Sequence, residues 1–248
     1  MAEWFETFFS GLYAQVLPKN FDDARTARQV RLVRRLLKLR KGQRVLDIPC
    51  GFGRLTFPLA RAGLAMTGVD LTAPYLSRAR RQAQREGLDV RFVQRDMRQI
   101  DFDGEFHAAF NWFGSFGYFC NADNLAFCRR VWRALRPGGR FLVEGPNKSW
   151  VMSHFRPRSE ETIGGVRIER RVRYDERADR VRAIWTLHKG REAERHELTM
   201  WIFNGAQIRT MLRAAGYTNI RLYDRNCPAG RFTRHSRRII AVAQRPKR

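Results

Sequence analysis

Residues 43–54 read QRVLDIPCGFGR. Val45, Leu46 and Ile48 form a short apolar run around Asp47, stopped by Pro49 and followed by Gly51 and Gly53. A run of this kind, bounded by turn residues, predicts a buried strand of a parallel sheet that empties into a tight loop at the sheet's carboxyl edge. Small molecules bind at that edge in open α/β sheets, and glycines let the backbone approach them closely. Asp47, inside the strand end, argues against a phosphate ligand and for a cationic one. The next apolar run, 64–71 (LAMTGVDL), also ends on an acid, Asp70, where a ribose diol would need a double acceptor.

Strand and helix signals alternate from residue 43 to 145, which predicts βαβ units and a parallel sheet. Helices are expected over 73–86, ended by Gly87, and over 121–135, ended by Arg136–Pro137–Gly138–Gly139. The texture then changes. Residues 166–174, 181–188 and 195–203 alternate apolar and charged side chains, as half-exposed antiparallel strands do. Gly164–Gly165 and Lys189–Gly190 supply turns. Residues 150–203 are therefore expected to form an antiparallel β insertion over the sheet edge, a lid or a subunit contact through which a homodimer would form. Asn204 is placed to cap a helix with the stripe Ile208, Met211, Leu212 and Ala215, closed by Gly216. Two final strands are expected over 218–223 and 238–243, joined by a long polar loop over 224–236.

At this point the chain resembles the class I S-adenosylmethionine-dependent methyltransferases. VLDIPCGFGR stands for the family's first glycine-rich motif, with Pro49 replacing the first glycine as in one bacterial small-molecule branch. Residues 90–97 (VRFVQRDM), 106–119 (FHAAFNWFGSFGYF) and 135–145 (LRPGGRFLVEG) resemble its third, fourth and fifth strands in order. The resemblance implies an α/β, Rossmann-like, seven-stranded mostly parallel sheet with helices on both faces. It divides the chain into an N-terminal helical segment (1–40), the methyltransferase domain (41–149 and 204–248) and the β insertion (150–203).

The resemblance also implies S-adenosylmethionine as cofactor. It places Asp47, Pro49, Gly51 and Gly53 around the methionine portion and Asp70 with Leu71 at the ribose. Asp96 and Met97 fall at the adenine, and Asn111 with Trp112 or Phe113 near the sulfonium. Catalysis of methyl transfer rests largely on placing nucleophile and methyl at near-attack distance. Where a base is needed, Tyr118, Glu144 and His154 are the candidates, because they lie near the fourth and fifth strand ends and the start of the lid. The expected acceptor is a small metabolite offering an O, N or C nucleophile. The N-terminal aromatics Trp4, Phe5, Phe8, Phe9 and Tyr13 are spaced for one helical face, either core or gate.

Composition bounds the alternatives. A chain of 248 residues with 44% apolar residues buries roughly 70–75% of its unfolded surface. No run approaches the ~18 apolar residues of a membrane span. The acidic, aromatic start MAEWFETFF is no secretory signal, so a cytoplasmic location is expected. Cys50, Cys120, Cys128 and Cys227 form no CxxC pair, which points to free thiols, Cys50 being a small filler, and to no metal site. The net charge is +24, yet only six of the 48 basic residues are lysine, and the arginines are spread throughout. One cluster stands out: Arg25, Arg28, Arg31, Arg35 and Lys38 fall on one face of a helix, with Val30, Val33, Leu36 and Leu37 on the other. That stripe is a solvated face or a surface for an anionic substrate or nucleic acid.

Three other readings make different demands on the sequence. A dehydrogenase would need GxGxxG, and PCGFGR lacks it. An RNA methyltransferase would use the basic surface. Yet Asn111–Trp112–Phe113–Gly114 has neither proline of the corner that enzymes methylating exocyclic base amines usually carry. A non-catalytic cofactor-binding protein would show the same site without turnover.

Overall fold

Arg44–Asp47 (β1) is the central strand of the main sheet, with Val45 and Leu46 excluded from solvent on opposite faces. The computed structural model describes residues 3–224 and 230–247; Cys227 and the middle of the 224–236 loop lie outside them. Before β1 come two short helices, Trp4–Thr7 (α1) and Gly11–Val16 (α2), and a long one, Asp23–Leu37 (α3). After it follow Thr56–Arg61 (α4), Ala65–Asp70 (β2), Ala73–Arg85 (α5), Val90–Gln94 (β3), Phe106–Asn111 (β4), Asn121–Ala134 (α6) and Leu135–Pro146 (β5). A short helix, Lys148–Ser153 (α7), leads to Arg158–Ile163 (β6), Val166–Asp175 (β7), Arg180–Lys189 (β8) and Glu192–Trp201 (β9). Gly205–Ala214 (α8), Thr218–Asp224 (β10) and Arg238–Gln244 (β11) complete the chain.

The seven-stranded sheet runs in the order β10-β11-β5-β4-β1-β2-β3. β11 is antiparallel to both of its neighbours, and the other pairings are parallel. Strand alternation sorts the core into two layers. Leu46, Ala109, Phe141, Val143 and Ala241 meet α6 and α8 on one face. Val45, Ala108, Phe110, Leu142 and Ile240 meet α3 and α4 on the other. The expected fold is thus the observed one.

Local chemistry sets the helix ends. Asp22 accepts the Arg25 N–H at the start of α3, and Lys38 adopts a left-handed conformation at its end. Asn204 and Gln207 exchange hydrogen bonds as a capping box at α8.

The β insertion is a separate four-stranded antiparallel sheet, β6-β7-β8-β9. β6 is the strand that the sequence reading left out. The first forty residues also behave differently from the single segment expected. α2 packs on the insertion, its Leu12, Tyr13 and Val16 against Val166, Ile168, Leu187 and Leu198, whereas α3 covers the main sheet. Among the links that fasten the insertion to the main domain, two stand out. The Trp201 N–H donates to the Gly117 carbonyl at 2.7 Å, where a Cβ on Gly117 would fall 2.2 Å from the Trp201 oxygen. Asp179 accepts from Lys148 Nζ, Tyr174 Oη and Gln207 Nε2, joining α7, β7 and α8.

Glu144 is a fully buried acid inside β5. Arg238 of neighbouring β11 holds it through two guanidinium contacts, and the Phe113 N–H donates to it at 2.9 Å. Removing one partner of a buried ion pair costs roughly 3–5 kcal/mol. Arg238→Met is therefore expected to lower the urea unfolding free energy by about that amount. The double variant Arg238→Met/Glu144→Gln should recover much of it; an unchanged midpoint in the single variant would contradict this account.

Candidate functional site

The site is built where β1 and β2 end. The Cys50 N–H donates to the Val69 carbonyl at 2.8 Å, which lays the loop after β1 across the end of β2. Gly51 N–H then donates to Asp70 Oδ2 at 2.7 Å, and Thr72 N–H donates to Asp70 Oδ1 at 2.8 Å. Gly53 has φ +85°, and a Cβ there would meet the Phe57 ring at 2.5 Å, so no larger residue fits the turn. Gly51 has φ +57° and open space where its Cβ would be, so its backbone is bare toward the cleft.

This loop forms one wall of a cleft whose void, mouth included, is about 950 Å³. Pockets for small molecules run to roughly 300–1,000 Å³. Asp47, Pro49, Gly51, Asp70, Leu71, Asp96, Met97, Phe113 and Tyr118 all line it. The fold therefore brings together most of the residues singled out in the sequence, drawn from the ends of β1, β2, β3 and β4.

The two deep acids differ from free carboxylates. Burial pushes Asp47 up to about 8, opposed by the Thr56 hydroxyl, which donates to it at 2.7 Å, and by the charge of Arg54. Burial also raises Asp70, opposed by the Thr72 and Gly51 backbone donors. Each Asp70 oxygen keeps acceptor capacity beyond its one backbone bond. Asp96 is already engaged, its Oδ2 gripped by Arg98 at 2.7 Å and 3.0 Å and its Oδ1 taking the Arg98 N–H at 2.8 Å. Arg98 in turn lies over Phe119 and Phe5, so this end of the cleft is an apolar slot with a screened acid at its edge.

Several expected residues stand elsewhere. Gly53 shapes the turn and does not line the cleft. Asn111 is fully buried behind it, its amide nitrogen donating to the Ile48 carbonyl at 2.9 Å, and it supports the loop from below. Glu144, committed to Arg238 and the Phe113 N–H, faces away from the cleft and is no base. His154 is exposed, stacked on Trp150 at 4.3 Å, with Nδ1 3.0 Å from the Trp150 carbonyl; it too is outside. Of the three candidate bases only Tyr118 lines the cleft, and burial raises its phenol far above neutrality.

Among the lining residues that the sequence did not single out are Arg54 and Tyr75. Arg54 closes the quoted motif; its guanidinium sits 3.8 Å from the centre of the Phe21 ring and near Asp47. An acid and a guanidinium together match the two ends of an amino acid. Tyr75 stands in the first turn of α5, and its hydroxyl is buried without a hydrogen-bond partner. The position of Arg54 directly after the glycine loop was the available signal; nothing local marked Tyr75.

The residues present fit a cationic nucleoside. Three carboxylates occupy successive strand ends, a bare glycine backbone faces the void, and an orphaned hydroxyl marks its wall.

Comparison with known proteins agrees. A family model described as a methyltransferase domain matches residues 45–139. The putative methyltransferase YqeM of Bacillus subtilis is 35% identical over 103 residues, 41% of this chain and 41% of its own length. The 23S rRNA (uracil(1939)-C(5))-methyltransferase RlmD of Nitrosospira multiformis is 43% identical over 75 residues, 28% of this chain and 17% of its own. The chain thus spans less than half the length of these curated relatives. An S-adenosylmethionine-dependent methyltransferase from Clostridium acetobutylicum shares the fold across nearly the whole chain. Its TM-score is 0.77 at 17% identity, covering 95% of this chain and 96% of that one. Residues 45–139 are thus similar to a methyltransferase domain, and the whole chain has the fold of an S-adenosylmethionine-dependent methyltransferase.

Proposed function

We propose that the protein transfers a methyl group to a small organic acceptor bound in the cleft. The observation that carries this reading is an aromatic chamber continuous with the acid-bearing end of the cleft. Its walls include Phe9, Phe21, Phe52, Tyr75, Phe113 and Tyr118. Phe9 and Phe5 come from the N-terminal segment, which roofs the chamber. When bound, S-adenosylmethionine supplies an electrophilic methyl on a sulfonium. Asp47 and Arg54 would hold the amino-acid end, Gly51 would leave its backbone to the ligand, and Asp70 would accept from the ribose hydroxyls. Leu71, Met97 and Phe119 would enclose the base, with Asp96 at its edge. The chamber walls exclude water and hold the acceptor in line, which is where much of the rate of such a displacement originates.

An anionic acceptor finds little support. Of the two lining arginines, Arg95 is paired with Asp101 at 2.6 Å and Arg54 faces Asp47. A homodimer through the insertion would form on β6, whose charged edge (Arg158, Glu160, Glu161) is exposed. No helix is long and apolar enough to cross a membrane among the described residues.

A second reading, methylation of RNA, is favoured by one observation. Arg28, Arg31, Arg34, Arg35, Lys38, Arg40 and Lys41 are all exposed along α3 and the turn after it. Salt-dependent RNA binding at physiological ionic strength, abolished by charge reversal on α3, would select it.

Cofactor binding tests the main reading. At ~100 times its dissociation constant, a ligand stabilises by ~2.7 kcal/mol, so S-adenosylmethionine and S-adenosylhomocysteine should both raise the melting temperature clearly. Asp70→Asn should weaken both by about 1.5–3 kcal/mol, the worth of hydrogen bonds to a charged group. No melting shift with either compound would sink the reading.

Asp47 makes the binding pH-dependent. Its carboxyl holds a proton below about 8 in the free protein, and the cofactor's ammonium needs the carboxylate. Binding at pH 7 is expected to release close to one proton, seen as a buffer-dependent calorimetric enthalpy. Affinity should fall about tenfold per pH unit below that value until the bound-state value is reached. The folded state also retains this proton between about 4 and 8, where the unfolded chain has lost it, so stability declines as pH rises through that window. Asp47→Asn should remove both dependences.

A further inference from the structure

Resting on the methyl-transfer reading, we infer that the acceptor is an amine on an apolar, ring-sized body, received as the free base and fixed by the Tyr75 hydroxyl. Tyr75 is 7% exposed, lines the chamber, and its Oη has no hydrogen-bond partner. A buried hydroxyl left unpaired is costly, so its place in the wall calls for a ligand group. The Phe52 ring stands edge-on to Tyr75 at 6.0 Å, and Tyr75 packs with Tyr13 and Leu17 of the N-terminal segment.

The chamber's chemistry selects the nucleophile. Among the described residues lining it, none is a base for an alcohol. Burial raises the phenols of Tyr75 and Tyr118. Of the lining acids, Asp47 and Asp70 are taken by the amino-acid end and the ribose of the cofactor and Asp96 is gripped by Arg98, while Glu144 and His154 lie outside. A free amine needs no base. Its lone pair forms the N–C bond while the S–C pair returns to sulfur, giving a methylammonium and a neutral thioether. Charge is conserved, and the product's proton leaves to water after release. The positive charge that grows on nitrogen is received among the rings of Phe9, Phe113 and Tyr118, whose quadrupoles attract a desolvated cation. The Tyr75 oxygen would accept an N–H and so aim the lone pair.

The test uses the full chain with S-adenosylmethionine and a matched series: benzylamine, 2-phenylethylamine and cyclohexylamine against 2-phenylethanol and 4-ethylphenol, with products read by mass spectrometry. At least one amine should be N-methylated and neither oxygen nucleophile touched. The rate constant kcat/KM should climb about tenfold per pH unit below the amine's own pKa. Independently of turnover, calorimetry of the turned-over amine into the S-adenosylhomocysteine complex should show Tyr75→Phe weakening amine affinity about tenfold, one hydrogen bond. S-adenosylhomocysteine affinity should be unchanged by that variant. Methylation of the alcohol or phenol, or a cofactor-loaded protein that neither binds nor methylates any of the amines, overturns the inference. So does a Tyr75→Phe variant that loses S-adenosylhomocysteine instead of amine. Failure to bind either cofactor form overturns the underlying reading, and the two failures are told apart by that one titration.

Discussion

The site depends on the Asp70 carboxylate, which is buried at the end of β2 and held by two backbone donors, Gly51 N–H and Thr72 N–H. Taking a carboxylate out of water is costly, and its raised pKa expresses that cost. The two donors offset part of it, and in doing so they connect three elements. The Gly51 bond pulls the loop after β1 against β2. The Thr72 bond fixes the residue from which α5 departs, and so the place of Tyr75 in that helix's first turn. A single acid thus sets the distance between the bare glycine backbone and the chamber wall. The two-faced core beneath, with α3 and α4 on one side and α6 and α8 on the other, holds the strand ends that make this possible.

The roof of the cleft is held by contacts far apart in sequence. Both oxygens of Glu194, in β9, lie 3.0 Å from the Leu12 nitrogen at the start of α2. Phe8 packs edge-on against Trp185 at 5.4 Å and His196 at 5.2 Å. The insertion therefore does more than cover an edge. It holds the N-terminal segment, whose Trp4 meets Tyr118 at 4.7 Å, over the cleft. Gly11 takes φ +54° beside the Glu194 carboxylate, which is why the aromatic stretch breaks into two short helices and not one continuous face.

What was legible in the sequence was local. The apolar runs of β1, β2 and β4, the glycine turn and the acids at strand ends all follow from residue order, because a parallel sheet places successive strand ends along one edge. β6 was invisible for a physical reason: Arg158–Ile163 is exposed on both faces and carries no alternation. Glu144 was misread because a place near a strand end does not say which way the side chain points. Arg238, 94 residues later, decides that. His154 was misplaced because α7 turns the chain aside before the insertion starts. Tyr75 was missed because its importance arises from what surrounds it: Phe52, Tyr13 and the N-terminal roof reach it only in the folded chain.

The positive charge also reads differently once folded. Much of it is used within the structure, with Arg98 over Phe119, Arg54 over Phe21, Arg170 over Trp185 and Arg245 over Trp132. Arginine suits this use because its planar, weakly hydrated cation stacks flat on aromatic faces, as the compact ammonium of lysine does less often. Arg28, Arg31, Arg35 and Lys38 remain exposed on α3, yet a polynucleotide lying along them would have to bring a phosphate as well as a base to a cleft lined by Phe9, Phe21 and Phe113, with Arg54 already facing Asp47. Aromatic walls that stack a ring offer nothing to a phosphate. The charge on the surface and the aromatic lining of the cleft therefore suit different partners, a polyanion along α3 and a ring-bearing small molecule in the cleft.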